Sequence, residues 1–220
     1  MFKNLEYLMG KIDNRIVEIS NKVKNQLNKG VDIYRSSNRE LAKAHIIKNK
    51  NIIEELEDLE YYIIKVLCLY RPVSKDLRKL IVALKFVNLL DNINENTIKI
   101  LNLLINSEFN FNREISYFKD MNHYINVMFN LAIKGYIKED IGAVNELYNI
   151  HKKVEKIYYQ DFQRYIARKI FENTLNIALA NELTNVGKYL ERCENGINSF
   201  RKDIYFLITG KKFLLGEYYA

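Results

Sequence analysis

Apolar residues recur along this chain at spacings of three and four, with polar residues between them. Leu5, Leu8, Met9, Ile12, Ile16, Ile19, Val23 and Leu27 begin the series, and Val31 and Tyr34 extend it. This predicts one long amphipathic helix with Gly30 inside it. Ser36 and Ser37 break the pattern, and Ser37 with Glu40 three residues on reads as a capping box opening a second helix. That helix runs to about Tyr70. Pro72 ends it, because the residue before a proline is pushed out of helical conformation. A third helix is predicted from Ser74 to about Asn106. The polar stretch 107–112 follows, and then a fourth helix over roughly 114–134. Gly135 and Tyr136 lead into a fifth, from Glu139 to about 168. The sixth covers roughly 171–208 and stops before Gly210, a C-terminal cap.

The sixth helix carries a heptad seam. Leu183, Leu190, Ile197 and Ile204 form one column, and Val186, Cys193, Phe200 and Leu207 the second. One hundred residues earlier, Ala83, Leu90, Thr97 and Leu104 occupy the first column, and Phe86, Ile93 and Ile100 the second. Helix three thus repeats the register of helix six, the pattern of helices packed along their length in left-handed bundles. The expected fold is all-α: two repeated antiparallel three-helix bundles, residues 1–106 and 111–210, with a tail at 211–220.

Composition agrees. One proline and 8 glycines in 220 residues argue for long helices and against a turn-rich sandwich or barrel. A chain 48% hydrophobic and 28% charged is globular. The net charge of +7 raises nucleic acid or anionic lipid as partners, but the basic residues alternate with Glu and Asp along helical faces, so no nucleic-acid partner is expected. Cys68 and Cys193 sit in apolar surroundings and read as buried free thiols of a reducing compartment. The N-terminus lacks a signal-peptide core, and no stretch reaches the ~20 apolar residues that span a bilayer. Cytoplasm is the expected location.

Two segments resemble the PhoU family. The segment KYLERCENGINSFRKDIYFLITG carries Leu190, Glu191, Arg192, Tyr205, Thr209 and Gly210 in register with the family's C-terminal signature. The segment RPVSKDLRKLIVALKFVNLLD carries Pro72, Val73, Asp76, Leu77, Arg78, Lys85 and Leu90 of the partner signature. Each lies in the third helix of its repeat. The resemblance implies a regulator of phosphate uptake that acts by contact between the phosphate transporter's ATPase subunit and the phosphate sensor kinase. It also implies a homodimer that meets the membrane only through its partners.

The resemblance further implies carboxylate sites that hold iron, zinc or similar ions in relatives. The corresponding residues here are Asp91 and Glu95 in the first half, and Glu191, Glu155 and His151 in the second. Carboxylates four apart on a helix project from one face, and a facing helix can complete an oxygen-rich shell. Solvated surface acids give the same spacing. This chain departs from the family pattern at Lys50, Lys99, Asn195, Ser199 and Lys202. Lys50 is expected to face Asp91 and Glu95, with Lys99 one turn beyond Glu95. The first site is therefore expected to be metal-free and held by lysine–carboxylate pairs. The second is expected to bind at most one divalent or iron ion weakly, and no cofactor is required. No phosphate loop, Cys-x-x-Cys pair or His-Glu-x-x-His motif points to an enzyme. Two other readings stay open: an accessory protein of another transporter, and a metal-binding helical bundle.

Overall fold

The computed structural model describes residues 2–109 and 116–213. Every regular element among them is a helix. α1 (Phe2–Arg35), α2 (Arg39–Lys48), α3 (Lys50–Tyr70) and α4 (Ser74–Asn106) form the first half. α5 (Ser116–Lys138), α6 (Ile141–Glu155), a π-helical turn (Lys156–Phe162), α7 (Gln163–Phe171) and α8 (Ile177–Thr209) form the second. α1 packs with α4 and the α2–α3 run, and α5 packs with α8 and the α6–α7 run. The resulting three-helix groups meet chiefly along α4 and α8, with α1 beside α5.

Named contacts set the directions. Asp13 pairs with Lys79 at 2.6 Å and Gly30 lies against Thr97, so α1 and α4 run parallel. Lys85 pairs with Asp203 at 2.5 Å and Leu89 lies against Gly196, so α4 and α8 run antiparallel. Both heptad columns of each helix are buried throughout. A third column is buried too: Leu80, Val87, Asn94 and Leu101 on α4, and Ala180, Gly187, Glu194 and Arg201 on α8. Each of these helices packs against its own bundle and against the other one, so two columns would not cover its contacts. The core is correspondingly continuous. Phe86 packs between Tyr136, edge-on, and Phe200, tilted, with ring centroids 5.5 and 4.5 Å away. Truncating a buried ring of this kind costs about 3–5 kcal/mol.

The helix ends show where local chemistry overrode the pattern. α4 begins at Ser74 and Gly210 caps α8 with φ 70, as expected from the sequence. Asn38, not Ser37, caps α2: its side chain accepts from the Leu41 amide at 2.9 Å, while Ser37 turns the chain with φ 57. α5 does not stop at Gly135. It continues to Lys138 because Tyr136 is buried and its hydroxyl donates to Asp13 Oδ1 at 3.1 Å. α6 starts after Asp140, whose carboxylate accepts from the Gly142 and Ala143 amides. α8 starts only at Ile177, capped by Asn176. The second helix is interrupted at buried Asn49. The fifth widens into a π turn, which keeps Val154, Tyr158, Phe162 and Ile166 inside at a spacing of four. Cys193 is buried as expected, and burial pushes its thiol up to about 12. Cys68 is exposed, because it lies on the outer side of α3 away from Ile63 and Val66. Residues 110–112 of the expected connection lie outside the described residues.

Candidate functional site

In the first half, Asp91 and Glu95 stand one turn apart on α4, Asp91 half-buried and Glu95 exposed. Lys99 Nζ pairs with Glu95 Oε2 at 2.8 Å. Asp91 holds its proton more tightly than a free carboxyl. Burial is the main cause, and the charges of Glu95, Glu57 and Glu60 add to it against the pull of Lys99. Glu57 and Glu60, on α3, therefore face Asp91 where Lys50 was expected. Lys50 is exposed and forms no ion pair with Asp91 or Glu95.

The second half places His151 inside. Its side chain is 9% exposed, and its Nδ1 bonds to a carboxylate oxygen of Glu194, itself 1% exposed. Its Nε2 lies 3.6 Å from Glu155. Burial alone would pull the imidazole down. The bond to Glu194 and the charges of Glu194 and Glu155 outweigh it, against Arg201, so His151 keeps its proton to higher pH than a free imidazole. Burial likewise pushes the Glu194 carboxyl up, while His151 opposes. Arg201 is buried with its guanidinium 4.6 Å from the centre of the Tyr148 ring. Glu191 is separate from this pair. Its Oε1 accepts from Tyr159 Oη at 3.0 Å and from Asn195 Nδ2 at 2.5 Å. The Glu191 bond is the main cause that pushes Tyr159 up to about 12.

The sequence reading thus found His151, Glu155 and Glu191 but missed Glu194, the residue that binds the imidazole. Glu194 falls in the heptad column shared by Gly187 and Arg201, whose residue types give no apolar signal. The burial rhythm also corrects the pairing of the repeats. His45, Asn49, Ile52 and Leu56 are buried at the same spacing as Leu147, His151, Val154 and Tyr158. The partner of His151 in the first repeat is accordingly Asn49, one residue before Lys50, and that slip explains why Lys50 points away. Among the described residues no three His, Cys, Asp or Glu side chains are grouped so as to hold a metal ion. The residues present do not form a ready metal shell: Lys99 occupies Glu95, and His151 is taken up by Glu194.

A family model described as the PhoU domain matches residues 16–104. An uncharacterized protein of Methanocaldococcus jannaschii is 41% identical over 121 residues, which cover 55% of this chain and 93% of that one. A phosphate-specific transport system accessory protein PhoU homolog of Thermotoga maritima is 24% identical over 195 residues, 86% of this chain and 82% of that one. The crystal structure of PhoU from Pseudomonas aeruginosa superposes with a TM-score of 0.84 at 17% identity, covering 94% of this chain and 99% of that one. The matched domain holds the column Ala83, Leu90 and Thr97 of α4, and the described residues share the fold of solved PhoU proteins. This chain belongs to the PhoU family.

Proposed function

We propose that this chain is a regulator of phosphate uptake that works by protein contact. In this reading it binds the phosphate transporter's ATPase subunit and the phosphate sensor kinase, and holds the kinase in its inhibitory state when phosphate is plentiful. The observation that carries the reading is similarity along most of the chain to proteins named as phosphate-specific transport system accessory proteins, on a shared fold. Two features of this chain support it. No helix among the described residues is long and apolar enough to cross a membrane, so membrane association would come through partners. The buried pair His151–Glu194 joins α6 to α8 inside the bundle rather than facing an open cleft, which suits a binding module rather than an enzyme. A binder shifts an equilibrium only by preferring one partner state, so the mechanism is differential affinity for two kinase states.

The repeats 1–106 and 111–210, a cytoplasmic location and self-association as a homodimer belong to the same reading. The exposed Tyr61, Ile64, Leu77 and Ile81 on α3 and α4 are apolar surface available to partners. The test is co-purification. Tagged chain from phosphate-replete cells should capture the transporter ATPase or the sensor kinase. Capture of neither, in replete and starved cells alike, would contradict the reading and favour another client transporter.

A further inference from the structure

A groove of about 470 Å³ runs along the α4–α8 seam, where the two repeats meet. Asn92, Asn96 and Lys99 of α4 and Arg192, Gly196 and Ser199 of α8 line one stretch of it. The antiparallel register brings these residues level, because Leu89 lies against Gly196 and the Asn96 amide against the Cys193 thiol. Gly196 lets α4 come close at this stretch. A Cβ there would stand 3.0 Å from Leu89 Cδ1. A glycine inside a long helix costs helical stability, so the position favours the close approach of α4 and α8 over propensity.

The walls around Gly196 supply donors from both repeats. Arg192 is exposed, lies over the Tyr189 ring, and has no carboxylate partner among the described residues. Among the described residues Lys99 pairs with exposed Glu95, a contact that water weakens. Asn92 donates one N–H to the Asn88 carbonyl and keeps a second, and Ser199 adds an exposed hydroxyl. The lining carboxylate, Asp203, is held by Lys85 further along the groove. Two cations and several neutral donors along one stretch of this groove match the needs of a compact anion with several acceptor oxygens. A guanidinium fork fits such oxygens two at a time.

We propose that this stretch of the groove binds a tetrahedral oxyanion, inorganic phosphate, with Arg192 and Lys99 as its cationic ligands. The oxyanion class rests on the groove itself, and the choice of phosphate rests on the regulatory reading above. A ligand seated here touches both repeats at once. Its occupancy biases how α4 and α8 pack to the extent that it prefers one arrangement, which couples phosphate level to the shape offered to partners.

Isothermal titration of phosphate into the full chain, at constant ionic strength and near neutral pH, tests this. The unmodified chain should show saturable binding of one phosphate. Arg192→Glu and Lys99→Glu, both at exposed positions, should weaken it at least about tenfold while the far-ultraviolet helical signal stays unchanged. No saturable binding, or equal binding in both variants, would overturn the proposal. A chain that binds no phosphate yet represses the starvation response would sink the groove site and leave the regulatory reading standing. One that binds phosphate without repressing would do the reverse.

Discussion

Glu194 on α8 and His151 on α6 form a buried ion pair at the centre of the second bundle, Glu194 bonding to the Nδ1 of His151. Glu194 is 1% exposed, and among the described residues the hydrogen bond to its carboxylate comes from His151. Removing one member of such a pair leaves an uncompensated buried charge, at a cost of about 3–5 kcal/mol. His151→Ala should therefore lower unfolding stability in urea by about that amount. The joint change to Leu at both positions should cost much less than the two single changes added together. A His151→Ala loss below about 1 kcal/mol, the range of a surface pair, would show that the pair is not buried in solution.

The pair also predicts a pH dependence. The pKa of His151 is raised in the folded state, so its contribution is fully present below the ordinary imidazole value of 6.5 and is lost as pH rises through the folded value. The Glu194 carboxyl is raised above 4.5, and this too makes rising pH unfavourable. His45 acts oppositely, since burial lowers its pKa and stability is lost as pH falls below 6.5. The comparison of variants isolates the pair. Between about pH 6 and 8, where a free imidazole titrates, His151→Gln should remove a decline in melting temperature that the unmodified chain shows. Parallel curves for the two proteins would contradict the assignment.

Asn49 and Asn94 occupy the corresponding positions of the first bundle, 1% and 0% exposed. None of their four side-chain polar atoms has a hydrogen-bond partner among the described residues. Unsatisfied buried groups cost about 1–3 kcal/mol each, so Asn94→Leu, close in volume, should raise the unfolding free energy by about 1 kcal/mol. A lower melting temperature in the variant would show that the amide is bonded in solution.

Much of this was legible in the chain and some was not, for physical reasons. Pro72 and Gly210 act locally, and their helix ends fell where the sequence put them. The seam of Leu183, Leu190, Ile197 and Ile204 was visible because packing on one side alone produces it. The third column was hidden, since Asn94, Glu194 and Arg201 read as surface residues until a second bundle is packed over them. Asn49 interrupts its helix through burial, and the π turn at Lys156–Phe162 follows from accommodating Tyr158 and Phe162 against Gly187. Both depend on partners far along the chain. The single residue by which the repeats slip, Asn49 rather than Lys50 opposite His151, carried the error into the expected site.

Metal content follows from the same geometry. Lys99 balances Glu95, and Tyr159 and Asn195 engage Glu191. The account therefore predicts less than one iron or zinc ion per chain after purification without chelator, with Asp91 and Glu95 metal-free. Two or more tightly held ions by elemental analysis would contradict it.

The central claim is that this chain represses the phosphate-starvation response by contact. Expression of phosphate-scavenging genes in a deletion strain grown in rich phosphate tests it most directly, with transporter and kinase both present. The account predicts derepression that the unmodified gene reverses. Expression unchanged from the parent strain would contradict it.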